Sequence, residues 1–230
     1  MKTKLIFEDF VSLFFPRLCI HCDAPLPRGI KDICLQCQYN LPKTENFKES
    51  VLKYHEKFEG ILPIKAVFVY GHFVKGGVMQ AILHELKYNH NPEIGIQIGR
   101  WFGKNLADAG WERSFDVLVP VPLHAKKLQK RGYNQALAVA KGLQQGLETP
   151  VIEEVLDRVR HTTSQTRKKK LTRILDMEGV FELHANVDFA QKNILLVDDV
   201  ITTGSTLLAC AEQLQKANPK SISIAALAGA

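Results

Sequence analysis

The chain has 230 residues, 46% of them hydrophobic, enough to bury one large domain or a medium domain with a small module, and this argues against disorder. Its formal charge of +6 and pI near 9.0 point to anionic partners, a class that spans nucleotides, phosphorylated sugars, nucleic acid and acidic membranes. No apolar run reaches spanning length, so no stable membrane insertion is expected.

The chain opens MKTKLIFEDFVSLFFP, with a basic start like a secretory signal, but Glu8 and Asp9 interrupt the apolar run and no small-residue cleavage site follows. We read it as mature chain in the cytoplasm. Phe7, Phe10, Val11 and Phe14 recur at helical spacing and predict a short amphipathic helix docked on the body.

Cys19 and Cys22 form one CxxC pair and Cys34 and Cys37 a second, eleven residues further on. Two such knuckles can put four thiolates around one tetrahedral Zn²⁺, and four cysteines close the shell, so the metal is expected to be structural. Paired disulfides are the alternative, which a reducing compartment disfavours. Cys210 stands alone on a predicted helix and reads as a small buried apolar residue.

Residues 38 to 63 are polar and read as a connection rather than core. IKAVFVYGHF then predicts a strand, GGVMQAILHELKYN a helix, PEIGIQIGRWFGKNLADAG a helix ending at Gly110, and SFDVLVPVPL a strand. A basic loop with Gly132 leads to a helix from about Asn134 to Leu147, a β-rich VIEEVLDRV, the polar HTTSQTRKKKLTR and GVFEL. The chain closes with strand NILLVD, helix STLLACAEQLQKA and strand SISIAALA. This alternation predicts an α/β domain with a mainly parallel sheet flanked by helices.

Such sheets bind ligands beyond the carboxyl ends of their strands. At that place lie Asp198 and Asp199, and after them Thr202, Thr203, Gly204, Ser205 and Thr206, where free N–H groups, hydroxyls and a helix dipole converge. A phosphate monoester suits that loop, and Gly204 lets the backbone close around it. The two carboxylates would repel a phosphate, so they are expected to face hydroxyls or a cation. A ribose 5′-phosphate meets both needs. The loop is no nucleoside-triphosphate P-loop, since it lacks GxxxxGK[ST]. A simple helix cap at Ser205 accounts for only one of its hydroxyls.

VDDVITTGST resembles the phosphoribosyl pyrophosphate motif of type I phosphoribosyltransferases. Together with CIHC, CLQC, LKYNHN, VPVPLHAKKLQKRGYNQA and RVRHTTSQTRKKKLTR, in this order over nearly the whole chain, it is similar to the ComF family. The resemblance implies an N-terminal helix and zinc module over residues 1–45. A type I phosphoribosyltransferase domain follows over 46–230, with a hood at about 46–110 and a core at about 111–230. It implies that Asp198 and Asp199 contact ribose hydroxyls, that Thr202 to Thr206 hold the 5′-phosphate, and that Lys126, Lys127 and Arg131 approach the pyrophosphate. HTTSQTRKKK resembles the mobile loop that closes over the reacting centre, which makes Arg160, Gln165 and Arg167 candidates and His161 a candidate base. Asp176 departs from the pattern, which has Asn there.

The implied chemistry is substitution at the anomeric carbon, with Mg²⁺ bridging pyrophosphate and ribose hydroxyls and no protein nucleophile. The implied setting is competence, the uptake of DNA for transformation. Two non-enzymatic readings stand beside the transferase. One is a phosphoribosyl pyrophosphate sensor gripping single-stranded DNA through the zinc knuckle and basic loops, with Tyr133 beside Arg131 for stacking. The other is an adaptor for a competence helicase or other uptake protein.

Overall fold

A computed structural model describes residues 15–44, 47–159, 179–185 and 187–230. The predicted N-terminal helix falls outside the described residues. From the N-terminus, α1 (Leu35–Tyr39) closes the cysteine knuckles and α2 (Leu52–His55) leads into β1 (Ile64–His72). Helices α3 (Val78–Tyr88) and α4 (Pro92–Leu106) follow, α4 running into a π-turn, Ala107–Trp111, in which Gly110 takes φ +95°. Then come β2 (Val117–Pro120), α5 (Ala125–Arg131), α6 (Gln135–Leu147), β3 (Leu156–Arg158), β4 (Phe181–Leu183), β5 (Asn193–Ile201), α7 (Ser205–Gln215) and β6 (Ser221–Gly229).

The main sheet has the order β1-β6-β5-β2, and every pairing in it is parallel. Its strands are apolar on both faces because helices cover both, as parallel sheets require. Along β5, Leu195 and Val197 face a core shared with α3, α4, α6 and the cysteine knuckles, while Ile194 and Leu196 face a core shared with α7 and the β3–β4 ribbon.

Beyond β2, Leu118 exchanges backbone hydrogen bonds with Pro150 and Ile152, whereas on its other side β2 pairs with β5. The chain therefore leaves β2 in one direction and β5 lies in the other. This opens a crevice at the carboxyl ends of β2 and β5, the kind of switch point where open α/β sheets bind ligands.

Helices α4 and α6 meet backbone to backbone. A Cβ on Gly99 would stand 2.4 Å from the Val139 carbonyl oxygen, and one on Gly142 would stand 2.2 Å from that of Ile96. Gly95, Gly99 and Gly103 on one helix and Gly142 and Gly146 on the other recur every four residues and so line a single face of each.

Three expectations are corrected. Residues 38 to 63 are not a mere connection: Tyr54 and Phe58 are fully buried, because α2 and the turns after it pack against Gly229 at the end of β6 and Gly204. The basic loop before Gly132 is helical as α5, ended by Gly132 in the left-handed conformation. The strand NILLVD extends through Ile201, since β6 continues to pair with it and carries small residues there, Ala226, Ala228 and Gly229. Among the described residues, no helix is long and apolar enough to cross a membrane.

Candidate sugar-phosphate site and metal centre

Alternation along β5 places Asp198 and Asp199 on opposite faces of the sheet, and each face supplies a different cation. On the α3 side, Lys87 Nζ lies 3.0 Å from Asp199 Oδ2. On the ribbon side, the Arg158 guanidinium lies 5.2 Å from the Phe181 ring centroid and acts electrostatically on Asp198. Asp198 Oδ1 also accepts the Asp199 N–H at 2.8 Å. Burial and the adjacent Asp199 charge push the Asp198 carboxyl up to about 8, against the opposing pull of that N–H, Lys87 and Arg158.

Past the acid pair the chain turns at Gly204, φ +81°, into α7. Thr203 Oγ1 and Ser205 Oγ are 2.9 Å apart, and the Ser205 N–H reaches Thr203 Oγ1 at 3.4 Å. Ser205 is buried, Thr203 and Thr206 are half-buried and Thr202 is exposed. The loop lies against α2 and the turns that follow it, residues 51–62. A Cβ on Gly204 would come within 3.1 Å of the Phe58 ring, and Lys57 Nζ donates to the Thr202 carbonyl. Glycine is needed here both for the positive φ and for the ring beneath it.

The third wall of the crevice is α5. His124 caps it, its Nδ1 accepting the Lys126 N–H at 3.1 Å. Lys127 titrates below the usual lysine range because it is partly desolvated and faces Arg158, Arg131 and Lys87, with Asp199 opposing. Four cations thus gather around two acids, a balance that favours a polyanion. His90 Nδ1 lies 2.9 Å from the Arg131 carbonyl and ties the end of α5 to the α3–α4 turn.

Of the residues singled out by sequence, Asp198, Asp199, Thr202, Thr203, Gly204, Ser205 and Thr206 form one continuous rim, and Lys127 is electrostatically coupled to Asp199. Lys126 is exposed in the first turn of α5. Arg160, His161, Gln165 and Arg167 lie outside the described residues. The other histidines have structural places: His184 Nε2 lies 2.8 Å from Asp157 Oδ2, and His84 sits beside the Tyr88 ring. Lys57, Lys87 and Arg158 were not singled out. Lys87 falls inside LKYNHN and Arg158 opens RVRH, but only the fold shows that they converge on the acids.

Cys19, Cys22, Cys34 and Cys37 bring their sulfurs within 4.8 Å of one another, and no cysteine in the chain is disulfide-bonded. Cys22 Sγ and Cys34 Sγ are 3.6 Å apart, close to the roughly 3.8 Å edge of a tetrahedron with metal–sulfur bonds of about 2.3 Å. Backbone N–H groups turn toward the sulfurs, Cys34 N to Cys19 Sγ and Cys37 N to Cys34 Sγ, both at 3.4 Å. Burial raises the Cys19 thiol, but N–H groups of Cys34, Cys22 and His21 outweigh it and bring it to about 6. The donor set fits a divalent, thiophilic metal. Cys19, Ile33 and Cys37 belong to the same core as α3 and α4, and Asn91, the cap of α4, donates to Asp32 Oδ1 at 3.0 Å. Cys210 is fully buried on α7.

The phosphoribosyl transferase domain profile matches residues 84–230. The chain is 26% identical over 228 residues to Competence protein F of Haemophilus influenzae, covering 94% of this chain and 99% of that protein. It is 31% identical over 147 residues to Competence protein ComFC of Bacillus subtilis, covering 64% of this chain and 58% of that protein. To DNA utilization protein YhgH of Escherichia coli K12 it is 26% identical over 217 residues, covering 88% and 92%.

Proposed function

The chain belongs to the phosphoribosyl transferase domain family, and on that premise we propose that it binds phosphoribosyl pyrophosphate and transfers the phosphoribosyl group to a nucleophilic acceptor. One observation carries the reading. Two adjacent carboxylates, each met by a cation from a different face of the sheet, stand directly before a glycine-hinged hydroxyl loop at the switch point.

In this reading Thr202 to Thr206 and the first N–H groups of α7 hold the 5′-phosphate. Asp198 and Asp199 accept hydrogen bonds from the ribose hydroxyls. Lys127, with Lys87, Lys126 and Arg131, neutralises the pyrophosphate. The bond from the anomeric carbon to the pyrophosphate oxygen breaks and its electron pair leaves with pyrophosphate. The acceptor's lone pair forms the new bond and its proton passes to solvent. The positive charge that develops on the ribose ring is stabilised by the two carboxylates beneath it. Asp198 and Asp199 would hold a Mg²⁺ arriving with the ligand, which would supply further neutralisation of the leaving group.

We assign Zn²⁺ to the four-cysteine cluster, in a structural role, because four thiolates leave no open coordination position. The unbridged thiols suit a cytoplasmic setting. The names of the relatives, two competence proteins and a DNA utilization protein, support a place in DNA uptake or use.

Titration calorimetry with phosphoribosyl pyrophosphate and Mg²⁺ tests the reading. Saturable binding is expected in the wild type, weakened about a hundredfold when Asp198→Asn and Asp199→Asn are combined, since both lose charge-assisted acceptors. Heat indistinguishable from dilution in the wild type would overturn it. Binding with no pyrophosphate release across nucleophilic acceptors would leave a sensor in place of a transferase.

A further inference from the structure

The helical segment over residues 51–62, α2 and the turns after it, brings to the hydroxyl loop a cation that lies 145 positions away in sequence. Lys57 Nζ donates to the Thr202 carbonyl, while its Cβ stands 3.6 Å from where a Cβ on Gly204 would be. The same ammonium lies 5.7 Å from the Tyr54 ring centroid.

The segment that carries this lysine is tied to the sheet at several points. The Val51 N–H donates to the Val67 carbonyl at 2.8 Å, and His55 Nε2 lies 2.8 Å from that of Ile64. Tyr54 is fully buried against Gly229, where any Cβ would collide with its ring, and its hydroxyl lies 3.3 Å from His72 Nδ1. Phe58 packs under Gly204. A half-buried platform therefore holds the Lys57 ammonium against the first peptide of the loop.

We propose that Lys57 is a specificity-determining residue of the sugar site, which makes that site select a 5-phosphorylated pentose over an unphosphorylated one. The proposal rests on the phosphoribosyl reading and adds to it the group that reads the terminal phosphate's charge. The Thr202 carbonyl presents its negative end to a loop that must accept a dianion. The ammonium offsets that oxygen and adds a whole charge to the roughly half charge of the α7 dipole. Hydroxyls and N–H groups recognise the shape of a phosphate and part of its charge. A cation at short range adds a further reward for its second negative charge.

The test compares two ligands that engage opposite ends of the site, ribose 5-phosphate and Mg²⁺-pyrophosphate, by calorimetry on wild type, Lys57→Met and Lys57→Arg. Lys57→Met is expected to weaken ribose 5-phosphate about tenfold, as loss of one charge-assisted hydrogen bond does, and to leave pyrophosphate affinity within twofold. Lys57→Arg is expected to recover most of the loss. Unchanged ribose 5-phosphate affinity in Lys57→Met would overturn the proposal. So would a parallel loss of both ligands or a loss that Lys57→Arg does not rescue, since either marks a merely structural residue. A wild type that binds neither ligand would overturn the phosphoribosyl reading itself. A wild type that binds pyrophosphate alone would overturn the role of Lys57 and leave the anion site of α5 standing.

Discussion

Lys87 Nζ lies 3.0 Å from Asp199 Oδ2, so the carboxylate on one face of β5 is paired by the helix that also leads into the metal module's anchoring turn. Asp198, on the other face, feels Arg158 and has a carboxyl raised to about 8. Two residues adjacent in sequence thus differ in charge environment because a strand sends neighbouring side chains to opposite sides.

Replacing Lys87 with Met removes this partner from Asp199 and one of the charges that hold Asp198 down. Stability at pH 7 is expected to fall by about 1 kcal/mol, a Tm loss of about 2–4 °C. The Asp198 carboxyl should rise further. Binding of phosphoribosyl pyrophosphate with Mg²⁺ should then reach its plateau at higher pH than in the wild type. Calorimetry between pH 6.5 and 9 checks this, and an unmoved profile would separate Lys87 from the acid pair.

Asp198 itself makes folding pH-dependent. Its folded value of about 8 lies above the 3.8 of the free side chain, so between those values the folded state holds the extra proton. Raising the pH through this window costs stability, because the carboxyl must then ionise while buried. Asp198→Asn removes that cost. The variant is expected to melt with the wild type near pH 4, to gain a few °C by pH 8, equivalent to at least about 1 kcal/mol, and to gain no more above that. Thermal melts in a pH series decide it, and a gain that is flat from pH 4 to 9 would contradict the assignment.

Gly142→Ala should destabilise although alanine is the better helix former by about 1 kcal/mol. The added methyl would stand 2.2 Å from the Ile96 carbonyl oxygen and 2.7 Å from the Arg100 nitrogen, both backbone atoms with nowhere to retreat. A loss of about 1–3 kcal/mol or more is expected in urea unfolding. The same substitution at Gly76, where a Cβ meets nothing within 4 Å, should cost only the strain of its positive φ.

Metal analysis is expected to find one Zn²⁺ per chain, lost in Cys34→Ala. Because Cys19, Ile33 and Cys37 share a core with α3 and α4, a chelator should lower the main Tm rather than melt a small module separately. A main transition that stays in place after metal removal would show the knuckles to be energetically independent.

The repeating strand and helix patterns were legible because each element buries apolar residues with its own period, and β1, α3, α4, α6, α7 and β6 lie where those periods predict them. The phosphate loop and acid pair were legible for a different reason. They are contiguous, so their chemistry can be read without a fold. The segment around α2 reads as a connection in sequence because Tyr54 and Phe58 stand four apart among charged residues in too short a stretch to show a period. The glycines of α4 and α6 were passed over because a small side chain announces close approach only when its partner helix is known.

By itself, then, the sequence determined an α/β chain with a four-cysteine centre and an acid pair followed by a glycine-hinged hydroxyl loop, since local spacing encodes all three. Tertiary structure alone decided which cations serve that loop. Lys57, Lys87 and Arg158 come from three distant segments, and a charge acts through space on whatever the fold sets within a few ångströms of it, whatever the distance along the chain.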